Sequence, residues 1–253
     1  MRTFAATLQL QPMTKNDPFK ELYDSIHGNN ELLRIMETSV PISVQTAYFK
    51  MSNSIRLEEH PFNLELWRKR LLSDEVDEDS KKRILVLLSG SKNIEAFRFL
   101  EAYSKTAKGV LAHWSALALL EARVQIESDI LGERPVIVAS GLGGKENKLR
   151  FFVVLATVGG ADLTLYQERM LEKELSFYAK KQACEIEEIR IHSHFATVLV
   201  LLPVDIENPG LLFDKVIDEC NAYGNFLRKD YVLTNIRILS DSEICRTLRR
   251  ANR

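Results

Sequence analysis

The chain is poor in the residues that usually announce chemistry. It has three cysteines in 253 residues, Cys184, Cys220 and Cys245, widely spaced and without a C-x-x-C pair. An odd, scattered set argues against a disulfide framework or a zinc site and favours a reducing, cytoplasmic compartment. Long apolar runs are missing too: none approaches the ~18 residues that a membrane span needs. The opening MRTFAATLQLQPMTKND lacks an apolar stretch of useful length before Gln9, Gln11 and Pro12, so no targeting segment is expected. The sequence therefore predicts a soluble cytoplasmic protein with no membrane partner.

Charge of one sign is also lacking. Lys and Arg number 34 against 35 Asp and Glu, for a net charge of −1. Divided at Arg134, the counts are 18 against 19 before it and 16 against 16 after it. Neither half binds polyanions by bulk charge, so a nucleic-acid role must rest on a local patch. Catalytic signatures are absent: there is no G-x-S-x-G, and His27, His60 and His113 are scattered among predicted helices. No catalytic residue, cofactor or metal is expected.

What is present is a 45% hydrophobic composition, enough core for one large domain or two ordinary ones. The first half reads as helices. Asp17-Pro18 starts one that Gly28-Asn29-Asn30 ends, and Leu32, Leu33, Ile35 and Met36 suggest a short second. Further apolar periodicity predicts helices over 42–58, 64–72, 77–88, 94–103 and 110–130. Gaps of a few residues between them imply antiparallel packing. The segment VLAHWSALALLEAR, small residues interleaved with Leu and Trp, resembles a HEAT-type repeat helix over about 74–129. An irregular helical bundle is the equal alternative. Either would present a protein-interaction surface.

The second half alternates strand and helix. Strands are predicted over 135–139, 150–158, 184–191, 195–202 and 231–239, with helices from Thr164 and Leu211 and a short one after Ser240-Asp241. From Leu149 the order is β-α-β-β-α-β, which resembles the ferredoxin-like split βαβ arrangement. That resemblance implies central strands at Phe151–Ala156 and Ala196–Leu201, both apolar on two faces. Edges would carry charge: Glu185, Glu187, Glu188 and Arg190 on one strand, Asn235 and Arg237 on another. Two crossover helices cover only one face of such a sheet, so a second cover is needed, with the helical half, a protein partner or a second copy as candidates. The expected fold class is α+β: a helical or HEAT-like region over 1–133, then a ferredoxin-like domain over 134–253 with an extra N-terminal strand and a C-terminal helix.

Between the first two of these strands lies Ser140-Gly-Leu-Gly-Gly-Lys-Glu-Asn-Lys148. It fails as a Walker A loop, because Ala139 stands where the first glycine should be and Glu146 follows Lys145 where Ser or Thr should bind magnesium. It fails as a dinucleotide fingerprint, whose third glycine would be Glu146. A flexible hairpin loop with glycines at positive φ is the plain reading, and an anion or RNA-phosphate contact through Lys145, Lys148 and Arg150 the functional one. Gly159-Gly160 reads as a capped turn, with Asp162 opposing an anion there. His192-Ser-His194 falls at a predicted hairpin turn and has no third metal ligand at characteristic spacing. The residues 194–198 match RNA-stacking strands only loosely, with Thr197 where an aromatic belongs.

Two functions follow. The leading expectation is a non-enzymatic binding or regulatory protein that engages a protein partner or itself through the helical half. The alternative is an RNA- or ribosome-associated factor using Lys145, Lys148 and Arg150 with Arg246, Arg249 and Arg250 of the C-terminus. An enzyme with a site at the domain junction is the weakest reading.

Overall fold

The computed structural model describes residues 7–8, 33–55, 61–132 and 135–250. The helix expected at 17–27 lies outside them. The chain divides into two compact units, one holding residues 33–139 and the other residues 7–8 and 140–250. The molecule is α+β.

The first unit contains β2 (Leu33–Ile35), α1 (Ile42–Ser54), α2 (Leu64–Leu72), α3 (Glu78–Gly90), α4 (Ile94–Ser104), α5 (Val110–Leu131) and β3 (Val136–Val138). Three helices start where a short polar side chain takes a free backbone N–H. Asn63 accepts from Leu66, Asp77 from Ser80 and Asn93 from Ala96, at 2.9–3.0 Å, each worth about 1 kcal/mol. Gly132, at φ 70°, ends α5 with its N–H on Ser128 O, the left-handed stop that glycine adopts without steric cost. The core is built from Leu85, Leu88, Leu100, Trp114 and Leu117. Within it, Glu121 collects three hydroxyls: Tyr48 at 2.6 Å, Ser52 at 2.7 Å and Ser89 at 2.8 Å. Burial, reinforced by Glu121, holds the Tyr48 phenol well above its usual range.

Leu33–Ile35 is a strand, not the short helix expected there. It pairs in parallel with β3, Leu33 opposite Val136 and Ile35 opposite Val138. Leu33 and Ile35 are buried while Arg34 between them reaches Glu127 at 2.7 Å, an alternation of period two that four apolar residues in five had hidden. The strand at 135–139 is thereby absorbed into the helical unit. It does not compete for a neighbour in the larger sheet.

The second unit contains β1 (Thr7–Leu8), β4 (Gly144–Lys145), β5 (Lys148–Thr157), α6 (Leu165–Lys181), β6 (Glu185–Ile191), β7 (Phe195–Pro203), α7 (Leu211–Ala222), β8 (Leu227–Thr234) and α8 (Asp241–Arg250). Its sheet runs β1-β8-β5-β7-β6, with β4 folded back on β5. Every pairing is antiparallel; Val153, near the middle of β5, faces Val198 on one side and Leu233 on the other. Thr164 and Gln167 form a reciprocal capping box at the start of α6. The last strand begins and ends earlier than 231–239. It is not the edge, since β1 pairs with Leu233 and Thr234 on its outer side. Its charges are Arg228, Lys229 and Asp230, and Asn235 is buried beyond it, its C=O taken by Leu142 N–H at 3.0 Å.

Both faces of the sheet are covered. Phe151, Val153 and Leu155 alternate onto one face, and α6 and α7 pack on β6 and β8 with Leu171, Leu175, Phe213 and Val216 buried. Phe152, Val154 and Ala156 alternate onto the other, where they cluster with Phe195, Val232 and, from α8, Ile244 and Leu248. A ten-residue C-terminal helix thus supplies cover within the unit. Its two buried aliphatic side chains contribute about 1.5–3 kcal/mol each.

Candidate nucleic-acid interface

The cations expected to act from two places prove to have different neighbours. The glycine segment is not an exposed flexible loop: Ser140 to Gly144 are buried. Of its glycines only Gly143 has a positive φ, 70°. A Cβ at Gly141 would sit 1.8 Å from Ile236 O, so close backbone approach demands glycine there. The turn of the hairpin falls at Glu146, φ 54°. Lys145 precedes it and Lys148 and Arg150 follow, and all three pair with carboxylates of the acidic strand β6. Arg150 grips Glu187 with Nε and Nη2 at 2.5 and 2.8 Å and donates from Nη1 to Leu142 O at 2.8 Å. Lys145 and Lys148 lie 3.1 and 3.9 Å from Glu185. The Glu185 carboxylate raises the Lys145 pKa and Glu187 raises that of Arg150. These cations are matched by carboxylates.

The C-terminal arginines are placed otherwise. Helix α8 is anchored by Ile244 and Leu248. Its start is closed by Glu243, which accepts from Ser240 N at 3.0 Å and Ser240 Oγ at 2.8 Å and pairs bidentately with Arg237 at 2.6 and 2.8 Å. Arg237, foremost, and then Ser240 hold the Glu243 carboxyl well below the usual carboxylate range. Arg228 of β8 donates to Leu248 O in the last turn at 3.4 Å, which satisfies a carbonyl left free by the helix end. Arg246 and Arg249 are exposed, three residues apart on one helical face. Neither makes an ion pair with the described residues. Arg250 is the last helical residue.

Where α8 meets the end of β5 there is a cavity of about 360 Å³, lined by Ala156, Thr157, Gly159, Gly160, His194, Arg228, Cys245, Leu248 and Arg249. Thr157 fixes its wall, with both its N–H and Oγ1 3.0 Å from His194 O. The His194 ring meets Phe195 edge-on, centroids 5.2 Å apart, and its Nε2 stands 4.0 Å from Cys245 Sγ. Arg228 is bidentate to Asp230, so its charge is shared, whereas that of Arg249 is not. No carboxylate lines the cavity.

Sequence reading found Arg246, Arg249 and Arg250 and missed the site beside them. The sequence reads Gly159-Gly160 as an ordinary capped turn, His192 and His194 as a solvated hairpin turn and Cys245 only as one of three scattered cysteines; Arg228 is not singled out. His194 and Cys245 are 51 residues apart, and no spacing rule joins them. The one usable signal was glycine after a strand, the context in which backbone can approach an anion. Among the described residues no group of His, Cys, Asp and Glu could hold a metal ion, and no helix is long and apolar enough to cross a membrane.

No protein-family model and no curated protein matches the chain. Two solved structures are similar to part of it. One is a REP-associated tyrosine transposase bound to a REP hairpin, at 12% identity and TM-score 0.32, covering 40% of this chain and 64% of that one. The other is a putative transposase from Deinococcus radiodurans, at 13% identity and TM-score 0.31, covering 43% of this chain and 92% of that one. Neither neighbour is described as a HEAT repeat or a ferredoxin-like domain, and the chain is assigned to neither of those families. Neither comparison brings up a protein-interaction regulator, and the leading expectation of a non-enzymatic protein-interaction role is not carried further. The helices of the first unit also lack a repeating pair, with lengths of 13, 9, 13, 11 and 22 residues.

Proposed function

We propose that the second unit binds nucleic acid through the phosphate backbone, at the face formed by α8 and the cavity beneath it. The observation that carries the reading is a cavity walled by Arg249, Arg228 and His194, free of carboxylates, opening beside the exposed Arg246. Guanidinium forks match phosphate oxygens in shape and charge, and the backbone at Gly159-Gly160 lets an oxygen approach without a side chain in the way. The lining carries no exposed aromatic pair on which bases could stack, and the aromatic Phe152 and Phe195 lie buried under α8. Binding is therefore read as sequence-tolerant, electrostatic and of about micromolar affinity at moderate salt. The cysteine pattern supports a cytoplasmic setting.

The test is fluorescence anisotropy with labelled single-stranded DNA, RNA and duplex across a salt series. The exposed double variant R246A/R249A should lose about tenfold in affinity on every sequence, with the salt slope reduced by roughly one to two. Equal affinity and slope for the variant and the parent would overturn the reading.

A further inference from the structure

The same cavity holds a thiol with a different potential use. Of the three cysteines, Cys184 and Cys220 are buried. Burial raises their thiols to about 11 and about 12 respectively, so each is held as an unreactive SH. Cys245 is only half-buried and lies on the cavity wall. Nothing in the packing of α8 requires a thiol there: Ile244 and Leu248 do the anchoring, and Cys245 is peripheral to that cluster. Its Sγ stands 4.0 Å from His194 Nε2, an imidazole nitrogen free to accept a proton when the ring proton is on Nδ1. Arg249, without an ion-pair partner among the described residues, lines the same cavity, as does Arg228, whose charge Asp230 shares. A cysteine, a base and a cationic wall in an open cavity are the parts of an activated thiol site.

We propose that Cys245 is a thiol–disulfide exchange site for small anionic disulfides such as glutathione disulfide, which the arginine-lined cavity admits. In the step, the Cys245 proton passes to His194 Nε2 and the sulfur attacks one sulfur of the disulfide. A Cys245–S bond forms, the original S–S bond breaks, and the second half leaves as a thiolate that is protonated in turn. Cys245 is oxidised and one half of the disulfide is reduced, with no other oxidant needed. The adduct occupies the cavity. If the nucleic-acid reading holds, the mixed disulfide also excludes phosphate from it, and that consequence alone rests on that reading.

The experiment uses the full chain, reduced and then freed of reductant. It is exposed in parallel to 5,5′-dithiobis(2-nitrobenzoate), an anionic disulfide, and to hydroxyethyl disulfide, a neutral one. Rates are followed by absorbance or intact mass, and sites by peptide mapping. Cys245 is expected to react at least about tenfold faster than Cys184 or Cys220. H194A should slow both reagents, and R249A should slow the anionic one alone. Added salt should act as R249A does. First labelling at Cys184 or Cys220, equal rates at all three, or indifference to H194A overturns the site. A second arm compares nucleic-acid anisotropy of the glutathione adduct and the reduced protein. Loss of binding reversed by dithiothreitol supports the coupling, and unchanged binding of the adduct overturns it. Absence of binding by the reduced protein removes the nucleic-acid reading and leaves the thiol site to stand or fall on the rates.

Discussion

The two cationic groups of the sheet unit are made of the same residue types and differ in what faces them. Lys145, Lys148 and Arg150 project beside β6, where Glu185 and Glu187 wait. Arg246 and Arg249 project from a helix whose one near acid, Glu243, is already held by Arg237 and Ser240. A phosphate approaching the hairpin must displace a carboxylate from each cation. One approaching Arg246 or Arg249 meets a cation without an ion pair among the described residues. Counting arginines and lysines along a sequence cannot see this, because pairing is decided across strands 37 and 40 residues apart.

The contrast breaks most severely at Gly141, which lets the segment before the hairpin pass Ile236. A Cβ there would stand 1.8 Å from a backbone oxygen, and no side-chain rotation relieves a backbone clash. Gly141→Ala should cost about 3 kcal/mol, seen as a lowered denaturant midpoint. It should also unseat the Leu142–Asn235 bond next to α8, so nucleic-acid affinity falls with stability. Wild-type stability in this variant would mean that the close approach is easily relaxed.

A smaller effect sharpens the contrast directly. Replacing Glu185 and Glu187 by Gln leaves Lys145, Lys148 and Arg150 in place without their counter-charges. If matching by carboxylates is what silences the hairpin, the double variant gains affinity for nucleic acid by several-fold at low salt, with a steeper salt slope. K145A/K148A in the parent background should change neither. A loss of affinity from K145A/K148A would show that the hairpin binds despite its carboxylates, and no gain from the Gln variant would show that position rather than pairing decides.

Much of the fold was legible for a local reason. Three helices of the first unit carry their own side-chain caps, and the box of Thr164 and Gln167 is written within four residues. The elements misread are those fixed by distant partners. Leu33–Ile35 is a strand because Val136–Val138 lies alongside. The last strand stops at Thr234 because Asn235 is taken by Leu142. The second cover of the sheet required knowing that a terminal helix folds back, although the i, i+4 pair Ile244 and Leu248 was there to be read. The candidate site was least legible of all, since its wall draws on β5, the β6–β7 turn, β8 and α8.

The smallest effect concerns how α8 is held in place. Glu243 has its carboxyl pushed well below the usual range, first by Arg237 and then by Ser240. A carboxylate depressed in the folded state stabilises it fully above the unfolded value of about 4.3. That contribution fades as pH falls through this value toward the folded one. The helix start should therefore loosen in acid while the hydrophobic anchors remain. Hydrogen exchange of the α8 amides, compared at each pH between the parent and E243Q, separates this from the intrinsic pH dependence of exchange. The parent should be better protected above about pH 5, with the gap narrowing as pH falls below about 4. A gap that does not change with pH would assign the holding of α8 to Ile244 and Leu248 alone. The arginine face would then be positioned by packing, and its readiness for phosphate would be insensitive to acid.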